Sequence, residues 1–451
     1  MTTSIIDSEY YKDMFGSARM HALFSDEARF QGWLDFEAGL ARAQARLGII
    51  PEAAAEEITA KAKVEYIDAA AMKAEFDRVG FPILPIVHQL AKAVSKETAR
   101  YVHWGSTTQD VTDTGMVLQI RNGLALLDEM LSDLEKVLAT LAKRHRDTIM
   151  VGRTMQQQAA PVTFGYKVAI WLAEVRRHRE RLHAMRPRVL LGQVAGAVGT
   201  NATLGDRGLE VLRATMKELG LIEPPISWHV SRDNWTEVTS LLAMVGATTA
   251  KVGLEIALLM RTEVGEVGEP FVTGRGASST LPQKRNPITC QPLIAAGKML
   301  REKAALAFDA MVQDHERATG PMHLEWSILP EAFVIAGGAI ENALSILDGL
   351  AVDENRMAAN LDMLHGMVMS EAVMMGLAPH IGRNQAHDVV YEACAKCADG
   401  GLALRTVLLA DERIGAKLSE AEIDAMLDPA NYLGCAREMV DQVLDLVRQP
   451  L

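Results

Sequence analysis

The sequence predicts an almost entirely α-helical fold. Aromatic residues make up only 5% of the 451 positions, while Ala, Leu, Met and Glu, which favour helix over strand, are plentiful. Leu124, Leu127, Leu131, Leu134, Leu138 and Leu141 recur at alternating spacings of three and four, the seam of a helix packed nearly parallel to its neighbours. Val238, Val245, Val252 and Leu259 recur every seven residues in a stretch with few charges, so this second helix is expected to be buried on most sides. Helices of roughly 30 residues would be about 45 Å long, more than one compact chain covers. Other subunits are expected to cover them.

The chain opens on a polar segment, residues 1–12, with no signal-peptide pattern. Its longest uncharged runs, such as 238–250, fall short of a membrane span. A soluble, cytoplasmic protein is expected. No Pro/Ser-rich linker or low-complexity tract separates domains, so they should pack closely. The expected division is an N-terminal helical domain over 1–104, a central long-helix bundle over 105–351 and a C-terminal helical domain over 352–451. Cys290, Cys394, Cys397 and Cys435 are too few and too scattered for a disulfide framework. The CxxC at Cys394 and Cys397 lies in an Ala-rich helical stretch and reads as helix filler rather than a metal site. A formal charge of -12 without a basic face or tail argues against nucleic acid as a partner. Anion binding must therefore be local.

Three polar constellations stand out. The first, Gly105-Ser106-Thr107-Thr108-Gln109-Asp110, directly precedes the leucine-periodic helix. Thr107 and Asp110 have capping-box spacing, and the Thr107, Thr108 and Gln109 side chains are equally suited to donate hydrogen bonds to a substrate carboxylate. The second runs from Gly152 through Arg153, Thr154, Met155, Gln156 and Gln157 to Pro161, which is expected to open another amphipathic helix.

The third, residues 274–287, is the densest: Gly-Arg-Gly-Ala-Ser-Ser-Thr-Leu-Pro-Gln-Lys-Arg-Asn-Pro. Gly274 and Gly276 suit a hinge, which would place Ser278 and Ser279 on a mobile loop. Asn286 followed by Pro287 suits a helix start. Lys284 and Arg285 would then flank free N–H groups at the positive end of a helix, a site for a carboxylate or phosphate.

Residues 278–287 closely resemble the Ser-Ser-x-x-Pro-x-Lys-x-Asn signature of the fumarase/aspartase superfamily. In that family the first serine abstracts a proton beside a carboxylate that the Lys and Asn hold. The resemblance assigns those roles to Ser278, Lys284 and Asn286, with Ser279 as a further substrate contact. It also shifts Thr107, Thr108 and Gln109 toward substrate binding, and brings Thr154 and Gln157 into the site. Ala277 replaces the family's usual Gly. The family commonly has Thr-His at 154–155, where the His serves in proton transfer or substrate contact; here Met155 stands, and a thioether moves no proton. The His-Asp pair of adenylosuccinate lyases is absent from 80–87. An apolar residue at the Met155 position, typically Trp, marks the 3-carboxy-cis,cis-muconate cycloisomerase branch, although Gln283 stands where many relatives have His. The likeness extends through Phe24 to Phe30, Tyr101 to Gly105, Asp314 to Arg317 and Leu427 to Gly434.

The resemblance implies three helical domains, a homotetramer with a 20-helix core and active sites shared between subunits. It also implies a cycloisomerase interconverting 3-carboxy-cis,cis-muconate and its lactone, because a departing carboxylate needs no full protonation and tolerates the loss of the His. The alternatives are a carbon-nitrogen lyase releasing fumarate from an N-substituted aspartate, and a noncatalytic crystallin-like protein. The lyase needs another acid, for which His229, His315 and His323 are available. Arg232 is expected either to anchor a third carboxylate bidentately or to pair with Asp233 or another neighbour. Arg383 and His387, in a segment resembling the family's final domain, read as structural. No His/Asp/Glu cluster has ligand spacing, so no metal or cofactor is expected.

Overall fold

The computed structural model describes residues 3–270 and 272–451. Among them, regular structure is overwhelmingly α-helical, with four short strands in two two-stranded ribbons. Among the described residues six helices have 21 residues or more: Asp26–Arg46, Thr108–Arg144, Phe164–Val189, Asp233–Leu259, Cys290–Ala310 and Pro321–Leu347. Thr108–Arg144 has 37 residues, about 56 Å at the standard rise. The chain divides into two compact units, one of Met1–Leu131, His178–Thr249 and Ala295–Glu341, the other of Ser132–Arg177, Ala250–Ile294 and Asn342–Leu451.

The two periodic stripes are core. Leu124, Leu127, Leu131, Leu134 and Leu138 are at most 2% exposed and Leu141 is 7% exposed; Val238, Val245, Val252 and Leu259 are all buried as well. In the first unit, Asp26–Arg46 approaches Thr108–Arg144 through facing glycines. A Cβ on Gly32 would stand 3.3 Å from the Gly115 carbonyl, and one on Gly115 would stand 2.6 Å from Trp33. Phe24 stacks on Phe333 at 4.8 Å, over Gly123, where a side chain would strike the Phe333 ring.

In the second unit, Lys167 pairs with Glu255 at 2.6 Å between two long helices, and Gly253 admits Leu293 at close range. Its C-terminal helices have their own core around Val373, Leu377, Val390, Leu404 and Ile423. Arg383 and His387 lie on its Arg383–Gly400 helix, where His387 stacks on Tyr391. Cys394 and Cys397 share that helix and are free thiols.

Among the described residues two helices, Asp233–Leu259 and Pro321–Leu347, are long and apolar enough by length and composition to cross a bilayer, although no uncharged run in them is that long. Their most apolar windows are 50% and 67% buried within the protein, the pattern of core helices.

Pro161 does not open a helix. Ile149–Thr154 and Gln157–Thr163 form an antiparallel hairpin with Pro161 opposite Val151, and the next helix begins at Phe164. Pro161 is tolerated because the ribbon has only two strands, so its missing N–H costs no second ladder. The turn residues Met155 and Gln156 both have left-handed backbone, φ 49° and 67°, as a two-residue hairpin turn of matching twist requires.

Candidate active site

The first constellation starts the Thr108–Arg144 helix. Asp110 Oδ2 accepts the Thr107 N–H at 3.0 Å, one arm of the expected capping box, and the same carboxylate reaches further. It takes the N–H groups of Ala195 and Gly196 at 3.1 and 3.0 Å and contacts His229 Nε2 at 2.9 Å. Asp110 and His229 are both buried. These donors offset the cost of burying the carboxylate. The Thr107 and Thr108 hydroxyls make no hydrogen bond among the described residues, and both threonines are partly exposed. Gln109 differs. It is 2% exposed; its amide donates to the His229 carbonyl at 2.8 Å and to Asp113 at 3.2 Å, and its oxygen accepts from Arg317 Nε at 2.9 Å. Gln109 thus holds Arg317, whose exposed guanidinium makes no other hydrogen bond or ion pair among the described residues. Arg317 lay within a segment the sequence marked as family-like, but nothing in its spacing pointed to Gln109.

Arg232 is buried among partners of its own unit. Its guanidinium is bidentate to Asp113, at 2.7 and 3.1 Å, and to Glu325, with contacts of 2.7 and 2.8 Å. The Trp235 ring lies 3.9 Å and the Trp228 ring 4.9 Å from its Cζ. The partners are thus Asp113 and Glu325 rather than Asp233, which instead accepts from the Ser231 hydroxyl. Two carboxylates around one cation leave an excess negative charge. Burial, assisted by Asp113 and opposed by Arg232, pushes the Glu325 carboxyl up to about 7. His323 is packed against Trp326 at 4.7 Å, and His315 is exposed in left-handed backbone.

In the second unit, the hairpin tip presents Thr154, Met155, Gln156 and Gln157 to solvent, with Met155 97% exposed. Arg153 anchors its base, bidentate to fully buried Glu266 at 2.7 and 2.9 Å, and Asn360 donates to the same carboxylate.

The signature segment is a closed loop in this unit. Ala277 bridges Arg285 in antiparallel fashion, and Asn286 Nδ2 donates to the Gly276 carbonyl at 3.0 Å. Gly276 has φ 71°, and a Cβ there would lie 3.1 Å from the Asn286 carbonyl, so glycine is required. Inside the loop, Ser278 Oγ accepts the N–H groups of Thr280 and Leu281 at 3.2 and 3.0 Å. Two dipoles aimed at a hydroxyl oxygen favour its ionised form. Ser279 and Lys284 are exposed, and the Lys284 ammonium has no partner among the described residues.

One expectation fails here. The helix begins at Cys290 rather than at Asn286, and its leading N–H groups are not open to a ligand. Glu269 takes the N–H of Thr289 at 3.0 Å and of Cys290 at 2.8 Å. A carboxylate twenty residues upstream fills the anion site that Asn286-Pro287 suggested. Burial and this carboxylate push the Cys290 thiol well above its ordinary range. No group of three or more His, Cys, Asp or Glu side chains with metal-binding geometry occurs among the described residues.

Comparison with known proteins agrees with this architecture. Residues 16–299 match the family described as Lyase, and 366–443 match Adenylosuccinate lyase C-terminus. The chain is 45% identical to a 3-carboxy-cis,cis-muconate cycloisomerase of Pseudomonas aeruginosa, over 97% of this chain and 96% of that one. It is also 43% identical to trans-aconitate decarboxylase 1 of Mycosarcoma maydis, over 96% of this chain and 88% of that one. The crystal structure of a 3-carboxy-cis,cis-muconate lactonizing enzyme from Pseudomonas putida superposes with a TM-score of 0.92 at 40% identity, covering 98% of this chain and 99% of the other. The chain is an enzyme of the lyase family within the fumarase/aspartase superfamily.

Proposed function

We propose that the chain is a cycloisomerase interconverting 3-carboxy-cis,cis-muconate and its carboxymuconolactone. The observation that carries the mechanism is Ser278 Oγ held by the Thr280 and Leu281 N–H groups, because a serine serves as a base only where its oxyanion is stabilised. In the lactonising direction a substrate carboxylate oxygen bonds to an alkene carbon. The π electrons move onto the adjacent carboxylate as an enediolate, and the Ser278 hydroxyl delivers a proton to the carbon between them. In reverse, the Ser278 oxyanion takes that proton, and the C–O bond breaks with its electrons on the departing carboxylate. Lys284, Ser279, Thr107 and Thr108 offer unengaged donors for the enediolate, and Arg317 supplies a planar cation for a second carboxylate.

Asn286 supports this chemistry by closing the loop, Gln109 by holding Arg317 and Arg232 by fixing Asp113 beneath Gln109. Met155 supplies no proton, and departure of a carboxylate needs none. Thr154 and Gln157 reach a substrate from the exposed hairpin tip. Met155, almost entirely solvent-exposed there, favours a site completed by other copies of the chain, in a cytoplasmic homotetramer with a 20-helix core. Decarboxylation of a tricarboxylate such as trans-aconitate is the second activity to weigh, because a relative of that name is 43% identical. Both would use the same stabilised carbanion.

The test is turnover of 3-carboxy-cis,cis-muconate followed by ultraviolet absorbance, with Ser278→Ala as control. Carbon dioxide release from trans-aconitate and fumarate release from iminodisuccinate and adenylosuccinate are measured in parallel. Muconate loss that disappears in the variant supports the cycloisomerase. Turnover confined to another substrate replaces it with that activity.

A further inference from the structure

The first unit contains a cavity of about 750 Å³ that none of the proposed catalytic residues lines. This volume falls within the range of small-molecule sites, ~300–1,000 Å³. Phe30, Trp33, Phe76 and Trp326 give it aromatic walls, with the Phe30 and Trp33 rings 5.2 Å apart. Met72 and Met116, both buried, line it as well, so the interior receives an apolar, preferably aromatic, body. The rim has a different character: Asp26, Glu27, Ala69 and Lys73 are exposed members of the same lining. Of the uncharged polar groups, the Thr112 hydroxyl donates to the Gln109 carbonyl at 3.3 Å and the Gln119 amide to the Leu23 carbonyl at 2.9 Å. The Gln119 oxygen is itself buried and does not open onto the cavity. The indole N–H groups of Trp33 and Trp326 make no hydrogen bond among the described residues, and they carry no charge.

The charges on the rim therefore decide the ligand. Arg29, also in the lining, pairs with Asp26 at 3.0 Å, and Lys73 pairs with Asp77 at 2.5 Å. Both cations thus have their own carboxylate. Glu27 is exposed and has no hydrogen bond or ion pair among the described residues, so it is the charge left over. It lies in the first turn of the Asp26–Arg46 helix, whose positive end is worth about half an elementary charge and is shared with Asp26. The rim stays negative. An anion would meet an unopposed carboxylate there, and a neutral molecule would leave it unused. A cation pairs with it and gains further from the aromatic faces beneath. We propose that this cavity is a binding site for an arylalkylammonium ion, with its ring among Phe30, Trp33, Phe76 and Trp326 and its ammonium against Glu27.

The experiment titrates the full-length protein at pH 7 with 3-phenylpropylamine, 3-phenylpropanol and 4-phenylbutyrate, reading quenching of tryptophan fluorescence. The three probes share a phenylpropyl body and end in a cation, a neutral hydroxyl and an anion. The amine is expected to bind about 3- to 10-fold tighter than the alcohol, the combined worth of a rim ion pair and a cation over aromatic rings, and the carboxylate is expected to bind most weakly. Glu27→Gln, at an exposed residue without a protein partner, should weaken the amine about 3-fold and leave the alcohol unchanged. Ala69→Phe, at an exposed residue of the lining, should weaken all three probes without disturbing the core. Alcohol or carboxylate binding as tightly as the amine, amine affinity unaltered by either substitution, or no saturable quenching would each overturn the proposal. None of these readouts depends on catalytic turnover.

Discussion

Gln109 holds Arg317 by a single nitrogen: its Oε1 accepts from Arg317 Nε at 2.9 Å, while its own amide is tied to the His229 carbonyl and Asp113. Because all of Gln109's polar atoms are engaged, its orientation is fixed, and so is the plane of the guanidinium it grips. Arg317→Ala is expected to lower kcat/KM about 100-fold, through loss of a charge-assisted bidentate contact. Arg317→Lys should not rescue it, because an ammonium cannot reproduce the fork. Gln109→Leu should leave Arg317 present but unaligned and cost about 10-fold. Steady-state kinetics on the turnover substrate separate these cases, and equal losses in all three variants would mean Gln109 does more than hold Arg317.

Glu325 makes stability depend on pH in a direction opposite to most carboxylates. Its ordinary value is 4.5, and burial with Asp113 nearby pushes it up to about 7 despite Arg232. The native state therefore binds this proton more tightly than the unfolded chain does. The resulting stability is fully present below about pH 4.5 and is lost as the pH rises through about 7. Urea unfolding of wild type and Glu325→Gln across pH 5 to 8 should show wild type losing on the order of 2–3 kcal/mol relative to the variant. Parallel curves would mean that Arg232 keeps Glu325 ionised throughout.

Glu269 caps the Cys290–Ala310 helix from a distant position in the chain. Glu269→Ala should cost about 1–2 kcal/mol in urea unfolding, the usual worth of a cap with favourable charge. Because the wild-type helix end is filled, millimolar sulfate should raise the melting temperature of the variant and leave wild type unmoved. A wild type equally responsive to sulfate would show that the helix end is open after all.

The helical bundle was legible in the sequence because burial is periodic. A buried helix face repeats every three to four residues, so Leu124 to Leu141 announced both the element and its buried side. The local geometry of the signature loop was legible too, since Ser278 Oγ needs only neighbours two and three residues away to receive its N–H groups. What could not be read were relationships carried by the fold alone. The cap from Glu269 and the Arg232 network with Asp113 and Glu325 join residues that only tertiary packing brings together. The hairpin was missed for a local reason. Its turn is Met155-Gln156, with none of the Gly or Asn that usually signals left-handed backbone, so in sequence Pro161 looks like a helix start.

Asp110 ties the start of the Thr108–Arg144 helix to the 195–196 loop, and Asp110→Asn tests how tightly. Its Oδ2 receives two main-chain N–H groups, from Thr107 and Gly196, so an asparagine must keep its oxygen there. The new amide NH₂ then occupies the Oδ1 position, facing the Ala195 N–H and His229 Nε2. His229 can adapt by moving its proton to Nδ1, a buried nitrogen that has no partner of its own. Ala195 cannot adapt, and its buried N–H loses its acceptor. The expected loss of stability is about 2–4 kcal/mol, one unmet donor plus the charge-assisted part of the remaining bonds. Hydrogen exchange should quicken at Ala195 while Thr107 stays protected, because only the Oδ1 side is disturbed. Uniform acceleration at Thr107, Ala195 and Gly196 would instead mean that the carboxylate charge, rather than the geometry of its acceptors, holds the two segments together.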